Sequence, residues 1–183
     1  MKKYYFYDYG EDMYDNEEYD FDEISYYKLL DACFLYGDYF SLDFQHWETS
    51  FYQSLCEYEV YPTITNDLLK LWTHTYRITY YIEDQNKKMV EPDAAHLAGQ
   101  GLNRRFFSCC DETKKELSEL KSVFAYMWKQ KELPENMIFY RTDGSVIISV
   151  CTHEGELTLF PRNNESWDEI LNMKKEHWCV EDN

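Results

Sequence analysis

Apolar positions change their spacing along the chain in a way that predicts both helices and strands. After Asp22, an N-cap residue, Ile24, Tyr27, Leu30 and Phe34 recur at three- and four-residue intervals to about Tyr36, and Gly37 supplies a stop. That spacing predicts a first helix with those four side chains buried. Between Asp38 and Phe44 the period shortens to two. Phe40, Leu42 and Phe44 alternate with Tyr39, Ser41 and Asp43, as in a strand with one wet face. A second helix is expected from near Trp47 to Ser50, carrying Phe51 and Leu55 and ending before Pro62. A short third helix capped by Asn66 reaches Trp72, after which Tyr76, Ile78, Tyr80 and Ile82 alternate with Arg77, Thr79 and Tyr81 as a strand. Residues 84–103, with Pro92, Gly99 and Gly101, read as a connection around a short helix and as the place for a disordered loop.

The second half is more regular. Phe106 to Cys110 reads as a strand. Thr113 and Glu116 have capping-box spacing, and Leu117, Leu120, Phe124, Met127 and Trp128 mark the buried stripe of a long helix that ends before Pro134. Met137 to Arg141, Ser145 to Cys151 and Glu156 to Phe160 predict a three-stranded meander turning at Asp143-Gly144 and at His153-Glu154-Gly155. Asp-Gly between two β-rich runs is a strong hairpin signal. Ser166 to Glu176 predicts a last helix. The fold class expected is α+β, a single domain over residues 1–183 with a largely antiparallel sheet packed against helices. Within it lie an N-terminal segment (1–22), a helix and strand region (23–103), and a helix, meander and C-terminal helix (104–183).

Charge changes the picture at the amino terminus. The 183-residue chain has 44% hydrophobic and 19% aromatic residues, enough to bury a core, yet carries a net charge of −17. Residues 1–61 hold fifteen carboxylates against Lys2, Lys3 and Lys28, a net −12 of that total. Nucleic acid and anionic membrane are therefore excluded as direct partners, and long-range attraction favours cationic proteins. Residues 3–9 predict a short strand ended by Gly10, and residues 10–20 an exposed acidic loop. Tyr4 to Asp22 combines Tyr4, Tyr5, Phe6, Tyr7, Tyr9, Tyr14, Tyr19 and Phe21 with eight carboxylates and contains no Lys, Arg or His. Crowded carboxylates repel one another, and crowded aromatic rings are costly to leave in water, so a surface that meets something basic reconciles the two. The candidate contact residues are Asp8, Tyr9, Glu11, Asp12, Tyr14, Asp15, Glu17, Glu18, Tyr19 and Asp20. The carboxylates steer and pair with Lys or Arg, and the tyrosines bring area at little rotamer cost.

Chemistry is sparse elsewhere. His46, His74, His96, His153 and His177 have no metal-ligand spacing, and Cys109-Cys110 is a vicinal pair with no C-x-x-C. Gly99-Gln100-Gly101 lacks the further residues of a nucleotide loop. A small enzyme would rest on His153 and Glu154, with Cys151 at the i, i+2 position, but no third orienting group is in sight. The doublets Arg104-Arg105 and Lys114-Lys115 read as solvated flanks. No catalytic residue, metal or cofactor is expected. Met1-Lys2-Lys3 leads into no apolar stretch of a secretory signal, and no run nears the roughly eighteen apolar residues of a membrane span, so a cytoplasmic chain with six reduced cysteines is expected.

A small, acidic, tyrosine-rich α+β chain of this kind resembles the immunity proteins of bacterial polymorphic toxins, including contact-dependent growth inhibition systems. Phe139-Tyr140-Arg141-Thr142-Asp143-Gly144-Ser145 followed by Thr152-His153-Glu154-Gly155-Glu156 is also similar in layout to a hairpin pattern of such proteins. Immunity families differ in fold, so the resemblance carries over no binding residue. It implies a role: stoichiometric neutralisation of a basic toxin domain, often a nuclease. A phage-type acidic mimic of nucleic acid that blocks a restriction or CRISPR nuclease would use the same charge logic.

Overall fold

Lys2–Tyr7 forms the first strand, β1, and the chain's last described stretch, Trp178–Asp182, forms β9 beside it, so the two ends of the sequence meet in one sheet. The computed structural model describes residues 2–7, 21–44, 49–60, 82–83, 88–89, 103–124, 133–152 and 155–182. Between the end strands come α1 (Glu23–Tyr36), β2 (Tyr39–Phe44) and α2 (Ser50–Leu55), which runs on into a 3-10 turn, Cys56–Tyr58. Then follow β3 (Ile82–Glu83), β4 (Lys88–Met89), β5 (Asn103–Ser108), α3 (Asp111–Ser118), β6 (Glu135–Tyr140), β7 (Val146–Cys151), β8 (Glu156–Leu159) and α4 (Asp168–Asn172). Seven strands make an antiparallel sheet in the order β5-β2-β6-β7-β8-β1-β9, and β3 pairs with β4 apart from it. The fold is α+β, and β6-β7-β8 is the meander expected from the Asp143-Gly144 turn.

One face of the sheet carries the main core. Phe40 lies opposite both Phe107 and Phe139, Val150 opposite Leu157, and Leu157 opposite Phe6, and this surface takes Leu29, Leu30 and Cys33 of α1 with Leu55 and Leu117. Burying such side chains contributes about 1.5–3 kcal/mol each. The first helix is capped as predicted, with the Ser25 amide donating to Asp22 Oδ1 at 2.8 Å. Its buried stripe keeps Leu30 of the predicted four, with Tyr27 and Phe34 half-buried against the core. Ser25, Tyr26, Leu29, Leu30 and Cys33 face inward, while Ile24 is 69% exposed. The Tyr26 hydroxyl donates to the Leu117 carbonyl at 2.6 Å, so this ring is buried with its polar end satisfied.

Further expectations are corrected. β2 has no wet face: all six residues are buried. Tyr39 stacks on Tyr140 at 5.0 Å, Ser41 Oγ lies 2.9 Å from the Tyr140 hydroxyl, and Asp43 is bonded to Arg104, so the alternate polar residues are satisfied internally. The long helix after Cys110 stops at Ser118. Ser118 Oγ donates back to the Lys114 carbonyl, the amides of Glu119, Leu120 and Lys121 each reach back three residues, and Lys121 takes a left-handed φ of 58°. Leu117, Leu120 and Phe124 are still buried, and the capping pair is Cys110 with Thr113 rather than Thr113 with Glu116. The last helix is one short turn, and left-handed Lys174 redirects the chain into a 3-10 turn and then β9. The strand expected at Phe106 to Cys110 runs from Asn103 to Ser108. Met127, Trp128, Asn66 to Trp72, most of the strand expected over 76–82 and most of the 84–103 connection lie outside the described residues.

Candidate functional site

The ten candidate contact residues, Asp8, Tyr9, Glu11, Asp12, Tyr14, Asp15, Glu17, Glu18, Tyr19 and Asp20, lie outside the described residues. The anchors on either side of them are well defined. Phe6, fully buried, meets Phe21 edge to face at 5.1 Å, stacks near His177 at 5.4 Å and touches Trp178 at 5.3 Å. Asp22 accepts the Ser25 amide, which holds its carboxyl below the ordinary range, and opens α1. In sequence the acidic segment lies between the end of β1 at Tyr7 and the start of α1 at Glu23. Two of its rings, Phe6 and Phe21, belong to the core and not to a contact surface, while Tyr4 and Tyr5 are half-buried.

The described arginines are committed within the fold. Arg104 pairs with Asp43, Arg105 with Glu59, Arg141 with Glu165 and Arg162 with Asp143, which accounts for every described arginine. Lys28 reaches Glu169, Lys114 reaches Asp31 and Lys3 reaches Glu181. Arg141 alone donates to both Glu165 oxygens and to the carbonyls of Val146 and Phe160, tying the β6-β7 turn to the loop before α4. Arg162, assisted by Ser145, holds the Asp143 carboxyl well below its usual range. The buried pairs of Arg104, Arg105 and Arg141 therefore act as structural fasteners.

A second cluster escaped the sequence. Asp43 accepts Arg104 Nε and Nη2 at 2.6 and 2.7 Å and Asn136 Nδ2 at 3.0 Å. Asn136, in the left-handed region at φ 50°, also exchanges two hydrogen bonds with Thr152. Glu135 lies across the ladder from Asp43, and burial first, then the Asp43 charge, pushes its carboxyl up to about 7. The doublet expected to be solvated is instead buried, Arg104 by Asp43 and Arg105 by Glu59 and the Tyr52 ring. Nothing local links Asp43 to Arg104 across 61 positions, so only the strand register reveals the pair. A carboxyl near neutrality has the protonation range of a general acid or base, but Asp43, Glu135 and Asn136 are each at most 2% exposed, which closes the cluster to a solute.

His153 and Glu154 lie outside the described residues, and neighbouring Thr152 is committed to Asn136. An open cleft of about 360 Å³ lies between the end of α1 and the Arg141 and Arg162 ion pairs, lined by Leu35, Tyr36, Asp143 and Glu165 among others. Both arginines there are neutralised. The six cysteines are free thiols, with Cys33 and Cys109 raised well above their ordinary range by burial. Among the described residues no group of three His, Cys, Asp or Glu could hold a metal ion, and no helix is long and apolar enough to cross a membrane.

The chain matches no protein-family model, no curated protein and no solved structure. Its functional reading therefore stands on its own charge and geometry.

Proposed function

We propose that this chain is a non-enzymatic, cytoplasmic immunity protein that binds a basic toxin domain, a nuclease by preference, and neutralises it by covering its surface. The observation that supports this reading most is the partition of charge. Every described arginine is consumed in an internal ion pair, while the carboxylates of residues 8–20 have no cation among them in sequence. Such a surface attracts a cationic protein from a distance and loses that attraction as salt is added. Asp8, Glu11, Asp12, Asp15, Glu17, Glu18 and Asp20 steer and pair, and Tyr9, Tyr14 and Tyr19 are the desolvated anchors. Losing one such anchor typically costs about 2 kcal/mol or more, whereas losing one rim carboxylate mainly slows association.

The test begins with the neighbouring gene. A large secreted protein with a basic C-terminal domain should be encoded there, and the purified domain should bind this chain one to one and lose its toxicity when the chain is co-expressed. A domain that binds no better than lysozyme, a basic protein of similar size, and stays toxic in the presence of the chain would refute the reading.

A further inference from the structure

β6 begins with an irregularity that its neighbours hold in place. Ser41 pairs with Ile138 and Asp43 with Glu135, so β6 carries one residue more than β2 between those two pairs. Asn136 lies in this bulge, and its φ of 50° falls in the left-handed region that few residues other than glycine adopt freely. Side-chain bonds fix it there. Asn136 Nδ2 donates to Asp43, the Asn136 amide donates to Thr152 Oγ1 at 2.9 Å, and the Thr152 amide donates to Asn136 Oδ1 at 3.0 Å. The last two bonds tie the start of β6 to the end of β7, and both residues are buried.

Glu135 meets Asp43 across the ladder at this same corner, with both carboxylates out of water. Among the described residues, the charged groups that face Glu135 are Asp43 from β2 and, through Asp43, Arg104 from β5. The end of β7 brings uncharged Thr152 and, beside it in sequence, the half-buried Cys151 thiol. Arg104 directs Nε and Nη2 to Asp43. Two buried carboxylates so placed do not ionise together without cost, and the proton falls to Glu135. Burial first, then the Asp43 charge, raises its carboxyl to about 7, against an ordinary 4.5 in water. The closed corner therefore holds a proton that an open one releases, and opening becomes easier as pH rises through that interval.

We propose that this corner is a pH-operated latch: with Glu135 protonated, the two bonds between Asn136 and Thr152 hold β6 to β7, and ionisation of Glu135 beside Asp43 releases them while the rest of the sheet stays paired. The latch needs no partner and stands whether or not the chain binds a toxin.

Residue-resolved amide exchange of the whole chain tests it, with each rate divided by the intrinsic rate at that pH. Between pH 5 and pH 8 the protection of the Asn136 and Thr152 amides should fall about tenfold or more, while that of the Arg141 amide, held to the Ser145 carbonyl just past the other end of β6, stays within about twofold. Glu135→Gln, which cannot ionise, should remove the fall. Constant protection at Asn136 and Thr152 in the parent chain overturns the latch. An equal fall at Arg141 overturns it as well, because Glu135 would then loosen the sheet as a whole. A fall that persists in Glu135→Gln assigns the response to another group, such as the Cys151 thiol, and likewise overturns it. The parent chain alone decides the first two outcomes, so a variant that fails to fold does not shelter the latch.

Discussion

Arg104 holds Asp43 through two hydrogen bonds, Nε to Oδ1 at 2.6 Å and Nη2 to Oδ2 at 2.7 Å, and neither side chain touches solvent. The pair joins β5 to β2 on the face of the sheet away from the main core, where Asn136 of β6 completes the bonding of the carboxylate. Removing one partner strands the other charge in a low-dielectric site. Arg104→Met should therefore cost roughly 3–5 kcal/mol in chemical denaturation, whereas Arg104→Met combined with Asp43→Leu should cost much less than the sum of the single changes. Additive losses would show that the two groups do not act as a pair.

Glu135, buried across the ladder from Asp43, makes stability depend on pH in an unusual direction. Unfolded, its carboxyl releases its proton near the ordinary 4.5; folded, near 7. Between those values the folded chain holds the extra proton, so this group's contribution is present in full below about pH 4.5 and is lost as pH rises through 7. Glu135→Gln cannot ionise. Measured by urea denaturation, it should be more stable than the parent by roughly 2–3 kcal/mol at pH 8 and should show no such gain at pH 4. An equal effect at both pH values would mean that the residue is not titrating in this window.

Gly37 is required by a close approach at the end of α1. A Cβ there would lie 2.5 Å from the Cys33 carbonyl oxygen, which is the acceptor for the Gly37 amide, and 3.4 Å from the Phe139 ring. Gly37→Ala should cost roughly 1–3 kcal/mol in thermal or chemical unfolding, because either the helix end or the core must shift. A neutral result would show that the turn relaxes freely.

Elements fixed by neighbours in sequence were legible. Asp22 as a cap, Gly37 as a stop and Asp143-Gly144 as a hairpin turn each act over a few residues, and all three stand where expected. Elements fixed by distant partners were not. β9 exists because it pairs with β1 some 175 residues earlier, and Asp43 looked like a wet position because nothing nearby announces Arg104 or Asn136. The α1 face was legible only in part for a related reason: Tyr26 and Cys33 are buried against distant elements, Tyr26 through its hydrogen bond to Leu117, 91 residues on. At the ends of the acidic segment, the structure places Phe6 and Phe21, neither of them a contact candidate, edge to face in the core.

The central claim is that the carboxylates near the amino terminus exist to be met by a cationic protein. Its most direct measurement is the association rate constant with the neighbouring basic domain across a salt series, for the parent chain and for a variant with Glu11, Asp12, Glu17 and Glu18 changed together to Gln or Asn. The account predicts a parent rate that falls steeply as salt is raised, and a variant that associates about tenfold or more slowly at low salt with a much flatter dependence. Identical rates and identical salt slopes for the two chains would contradict it.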